Sequence, residues 1–248
     1  KSGGKFPGAT TADFATDTEA SLAYLKTRPE ADPKHLGLIG HSEGAIIAPM
    51  VAARNHDVAF IVMLAGPGVP GDAILLEQGK LIMEAGGMSA EQADKQLALN
   101  RELFALIRSE NDEAVLEKKL RETLAGKVPE GEVEAQMKTL NSPWFRYFVK
   151  YDPATALRHV TCPVLALNGE KDLQVPPKQN LPVVHQLLME AGNKNFETDE
   201  MPGLNHLFQT AKTGAPSEYA DIEETFAPAA LEKIANWILA VTGPNHIS

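Results

Sequence analysis

The chain has 248 residues, of which 44% are apolar and 23% charged, and this make-up suits a globule with a substantial core. Thirty-three acidic against 23 basic side chains give a net charge of -10, which argues against nucleic acid, whose phosphates need a basic surface. No apolar run reaches the roughly 18 residues that suggest a membrane span, and one cysteine, Cys162, leaves no internal disulfide framework or cysteine-based zinc cluster.

The opening "KSGGKFPG" reads as a loop without a signal-peptide pattern. The apolar spacing of Phe14, Leu22, Tyr24 and Leu25 predicts a helix over about 12–27, with Thr11 and Asp13 as caps and an end near Pro29. "LGLIG" then reads as a short buried strand, "SEGAIIAPMVAAR" as a small-residue helix, and "VAFIVMLAG" as a strand covered on both faces. "GPGVPG" breaks the chain at 66–71.

From 72 to about 150 the pattern changes to four successive amphipathic helices, the last being "EGEVEAQMKTLNSPWFRYFVK". "CPVLALNGEKD" follows as a buried strand and loop, "LPVVHQLLMEAG" as a helix, "NFETDEMPG" as a strand and "PAALEKIANWILAVTG" as a closing helix. Strand–helix alternation predicts an α/β fold with a parallel sheet flanked by helices. The division expected is 1–71 as core, 72–150 as an inserted all-helical cap, and 151–248 as core again.

The chemistry starts at "GHSEG", a G-x-S-x-G pattern on a strand-to-helix turn. In such an elbow the backbone is tight, so Gly40 and Gly44 are expected where a Cβ would clash, and Ser42 stands exposed at a helix N-terminus. By chance alone the five residues arise in roughly one chain in ten of this length. The flanking strand and helix are what give them weight.

A serine hydroxyl needs a base. His206, in "MPGLNHLF", lies on a loop just after a predicted strand, a setting that no other histidine shares. Asp172 in "NGEKD" is the candidate orienting acid, with Glu170 as a less favoured substitute. Ser42, Asp172 and His206 all fall at the C-terminal ends of parallel strands, where open α/β sheets build their sites. Asp199 lies too close to His206 along its own strand to serve. The Glu43 backbone N–H is the expected oxyanion donor. His41, inside the elbow, reads as structural, and His35, His56, His159, His185 and His246 as surface or packing residues; Cys162 reads as a small buried side chain.

"GHSEGA", "NGEKDLQVP" and "GLNH" resemble the α/β-hydrolase superfamily, and the resemblance covers nearly the whole chain. It is most similar to cap-bearing bacterial esterases of the serine aminopeptidase-like group, in which the elbow commonly reads GHSEGG, so Ala45 departs mildly. The resemblance implies carboxylic-ester hydrolysis without a cofactor, and a cap that sets substrate preference. Superfamily members carry several strands before the elbow, including the loop that gives a second oxyanion N–H. Only about 36 residues precede "LGLIG" here, and "KSGG" resembles the loop after an earlier strand. The chain thus resembles the C-terminal part of a longer hydrolase.

These readings predict a serine hydrolase acting on small carboxylic esters, with Leu75, Leu76, Trp144 and Phe145 as candidates to line an acyl pocket. An impaired hydrolase-fold binding protein and a peptidase or amidase of the same fold are the alternatives. No metal and no cofactor are expected. The small-molecule ester apart, the partner expected is a second copy or a companion N-terminal fragment, since "LGLIG" would be an uncovered sheet edge.

Overall fold

The computed structural model describes residues 8–243; "KSGGKFP" and "PNHIS", with His246, lie outside them. The described chain forms two compact units. One holds Ala15–Val69 and the chain from Pro153 onward; the other holds Pro70–Asp152 and the residues up to Phe14.

Helix α1 spans Thr11–Leu25. Its cap is Thr10, one residue before the expected Thr11. The Asp13 carboxylate accepts both the Thr10 N–H at 2.7 Å and the Thr10 hydroxyl at 2.8 Å, which ties the residue before the helix to its first turn. Strand β1 (Leu38–His41), helix α2 (Gly44–Ala52) and strand β2 (Ile61–Leu64) follow. After the helical insertion come α8 (Ala154–Leu157), β3 (Val164–Gly169), α9 (Pro177–Glu190), β4 (Phe196–Met201) and α10 (Pro228–Thr242). Helix α9 begins four residues earlier than its apolar pattern suggests, because Pro177 supplies a pre-set first turn.

Among the described residues the four strands are parallel and lie in chain order, with β1 and β4 at the edges. Leu38 faces Ile61, Ile61 faces Val164 and Val164 faces Phe196, so the C-terminal ends fall in line. Every residue of β2 and β3 is buried. Their side chains alternate between two cores, as a period of two requires. Ile61, Met63, Val164 and Ala166 pack with Ala15, Val51, Leu157 and Leu188, while Val62, Leu64, Leu165 and Leu167 pack with Phe208, Ala230 and Ile234.

The helical unit contains α3 (Gly71–Ala85), α4 (Ala90–Ser109), α5 (Glu113–Leu124), α6 (Glu130–Leu140) and α7 (Pro143–Lys150). The last two were expected as one helix. Ser142 and Pro143 divide it: the Ser142 hydroxyl accepts the Phe145 N–H at 3.2 Å, and Pro143 takes the first helical position. Leu103, Phe104, Ile107, Leu116, Leu120, Leu124 and Met137 give this unit a core of its own. Among the described residues, no helix is long and apolar enough to cross a membrane.

Candidate active site

Ser42 stands between β1 and α2 with φ 55, in the left-handed region that a side chain rarely enters. The turn is locked from both sides. The Ser42 N–H donates to the Leu64 carbonyl at 2.8 Å, and the Ser42 carbonyl accepts the Ala45 N–H at 3.0 Å. A Cβ at Gly40 would lie 2.0 Å from the Gly44 carbonyl oxygen, so this glycine is required. Gly44 is a correction to the sequence reading, because a Cβ there would meet nothing within 4 Å. What Gly44 contributes to the crowding is its carbonyl. The Glu43 carbonyl accepts the Ile46 and Ile47 amides at 2.9 and 3.1 Å, which puts the Glu43 N–H in the first turn of α2. N–H groups there lack intrahelical acceptors and carry the positive end of the helix dipole.

The acid loop leaves β3 at Gly169, where the chain passes so close to the next loop that a Cβ would lie 2.3 Å from the Leu204 carbonyl oxygen. The Lys171 N–H donates to that carbonyl at 2.8 Å. Asp172 is 2% exposed, and its Oδ1 accepts the Gln174 and Val175 amides at 2.8 and 2.9 Å. Its Oδ2 accepts the His206 Nδ1–H at 2.9 Å. Glu170 faces another way, accepting the Gly203 N–H at 2.7 Å. Asp199 pairs with Lys233 at 3.2 Å.

The sequence pattern singles out His206 and passes over the residue that shapes its loop. Asn205 is fully buried, and its Oδ1 accepts the Leu207 and Gln209 amides at 2.9 and 3.0 Å. An asparagine heading a tight loop was the available signal. The loop closes further through the Ala227 N–H on the Phe208 carbonyl at 2.8 Å, with Phe208 itself at φ 59 and its ring stacked on Phe226. His206 is 5% exposed. With Nδ1–H donating to Asp172, the neutral ring keeps the lone pair on Nε2, where a base needs it.

His41 carries a contact that spacing could not reveal. Its Nε2–H donates to the His206 carbonyl oxygen at 2.7 Å, and the two rings lie 4.7 Å apart. Burial holds the His41 ring below the ordinary histidine value, and neighbouring His206 pushes the same way; the bond to the His206 carbonyl and the Asp172 charge pull it up.

The candidate acyl-pocket residues all belong to the helical unit. Leu75, Leu76 and Phe145 are half-buried against that unit's own core, and Trp144 stacks on Phe148 at 5.4 Å. Phe104 and Phe145, with Leu103 and Leu140, line a cavity within the same unit. Among the described residues, no three His, Cys, Asp or Glu side chains gather as a metal site.

Residues 3–222 match the Alpha/beta hydrolase family. The chain belongs to that family. It is 26% identical over 226 residues to esterase EstD of Thermotoga maritima, an alignment that covers 90% of this chain and 47% of that esterase. The chain therefore spans about half the length of this curated relative. Among solved structures it is similar to a membrane phospholipase A described as a bacterial virulence factor, with TM-score 0.52, 16% identity, and coverage of 98% of this chain and 67% of that one. It is similar also to the esterase Pf2001 of Pyrococcus furiosus, with TM-score 0.51, 16% identity, and coverage of 97% and 65% respectively. At such identities the likeness concerns the fold, and the fold is the α/β-hydrolase sheet with its flanking helices.

Proposed function

We propose that this α/β-hydrolase is a serine hydrolase that cleaves small carboxylic esters through an acyl-enzyme. The observation that carries the reading is the buried 2.9 Å bond between His206 and Asp172, at the same strand-end edge as the left-handed Ser42. The similarity to esterase EstD supports the ester as substrate class.

In this reading Ser42 Oγ attacks the ester carbonyl carbon while His206 Nε2 takes its proton. The Glu43 N–H donates to the oxyanion that forms. Collapse breaks the bond to the alcohol, which leaves with the proton from His206. Water then attacks the acyl carbon, gives its proton to His206, and Ser42 recovers it as the carboxylic acid departs. Asp172 fixes the tautomer and stabilises the imidazolium.

Selectivity is proposed to lie with the helical unit, whose Leu75, Leu76, Trp144 and Phe145 are the candidate acyl-pocket side chains. The further partner proposed is a β-strand on the side of β1 away from β2, from a second copy or a companion N-terminal fragment.

The experiment is labelling with a fluorophosphonate, alongside a p-nitrophenyl ester panel, with Ser42→Ala as control. Stoichiometric labelling and turnover that both vanish in Ser42→Ala are expected. A chain that binds ester without turnover or labelling would be an impaired binding protein instead.

A further inference from the structure

His41 reaches from the end of β1 to the loop that carries His206. The neighbours of His206 are fixed by the loop and its surroundings: Leu204 by the Lys171 amide, Leu207 and Gln209 by the Asn205 side chain, and Phe208 by the Ala227 amide. The His206 carbonyl is held from the elbow strand, by the His41 Nε2–H at 2.7 Å across 165 residues of sequence. Ser42 follows His41 directly. One hydrogen bond therefore joins the residue beside the proposed nucleophile to the main chain of the proposed base.

We propose that His41 is a positioning residue, whose hydrogen bond to the His206 main chain sets the separation of Ser42 and the His206 ring. This rests on the assignment of Ser42, His206 and Asp172 given above. Nucleophile and base stand on different loops, and proton transfer needs them aligned to about 0.5 Å. Phe208 at φ 59 makes the histidine loop one that would relax if an anchor were lost. The charge state suits the role. A ring held below the ordinary histidine value is neutral near pH 7, so it adds no positive charge 4.7 Å from the imidazolium that forms at His206. The acidic groups near His41 include Asp172, and Glu223 and Glu224, which line a pocket with it, and Glu43 follows two residues along the chain.

Three variants test this. His41→Gln keeps an N–H donor in the place of Nε2; His41→Asn places its donor short of the His206 carbonyl; His41→Leu has none. On p-nitrophenyl butyrate, His41→Leu and His41→Asn should lose about tenfold to a hundredfold in kcat, with KM close to wild type. His41→Gln should recover most of the loss. A packing role alone makes Gln and Asn equal, and that result overturns the proposal, as does wild-type kcat in all three. The downfield proton resonance of the His206 Nδ1–H, read by NMR, gives an arm that needs no turnover. It should persist in wild type and His41→Gln and broaden in His41→Asn; equal persistence in both variants overturns the proposal. Absence of ester turnover and labelling in wild type would instead sink the functional reading, and the resonance would still decide the role of His41.

Discussion

Glu170 gives its carboxylate to the Gly203 amide at 2.7 Å, so the two acids of the "NGEKD" loop face different partners. Gly169 closes on Leu204, the chain turns, and Asp172 is the side chain directed at His206. Asp172→Asn is expected to lower kcat by about 10³–10⁴, since an amide in that place favours the wrong histidine tautomer. Glu170→Gln is expected to stay near wild-type turnover. Steady-state rates on one ester compare them, and the reverse order would reassign the acid.

The two elbow glycines should behave differently. Gly40→Ala forces a Cβ to within 2.0 Å of the Gly44 carbonyl, a backbone atom that cannot swing aside. We expect a loss of about 1–3 kcal/mol or more in urea unfolding, and lost fluorophosphonate labelling. Gly44→Ala meets open space at the start of α2 and gains helix propensity. It should fold at least as stably as wild type. Equal damage from both would show that the elbow's crowding is misread.

Cys162 is half-buried at the mouth of β3, and burial pushes its thiol up to about 11. The neutral thiol is the favoured form, so at pH 8 only about one molecule in a thousand carries the thiolate that reacts. Native protein should therefore react with iodoacetamide far more slowly than protein unfolded in guanidinium. Comparable rates would mean that the site opens readily.

What the sequence made legible was local in character. Strand–helix alternation, the continuous apolar runs of β2 and β3, and the strand-end settings of Ser42, Asp172 and His206 follow from periodicity and motif context. Details that depend on tertiary contact were not legible. Whether Gly44 needs to be glycine depends on which atoms face it, and the sequence preference for Asp172 over Glu170 carried no sign of the Gly203 amide that Glu170 meets. His41 reads as structural from its place inside the elbow, and its bond to the His206 carbonyl, 165 residues away, has no trace in the local pattern. The break between α6 and α7 is a different case. Its signal, Ser142 followed by Pro143, was visible in the chain and was outweighed by the apolar pattern on either side.

The last prediction concerns β1. It pairs with β2 on one side, the Leu38 amide donating to Phe60 and the Ser42 amide to Leu64. Alternation along a strand turns the backbone groups of Ile39 and His41 the other way, toward the side with no strand among the described residues. Ile39 is 57% exposed, whereas the residues of β2 and β3 are all buried. An open, apolar edge of this kind is a template for pairing. In a symmetric dimer two copies of β1 would meet antiparallel across the two-fold axis. Light scattering after size exclusion at micromolar concentration is expected to show self-association, or a monomer that dimerises as concentration rises. Ile39→Lys, which places a charge on that edge, should shift the equilibrium toward monomer while fluorophosphonate labelling of Ser42 persists. A monomer at every concentration, with rapid hydrogen exchange at Ile39 and His41, would show that the edge stays bare and would remove both a second copy and a bound companion strand from the picture.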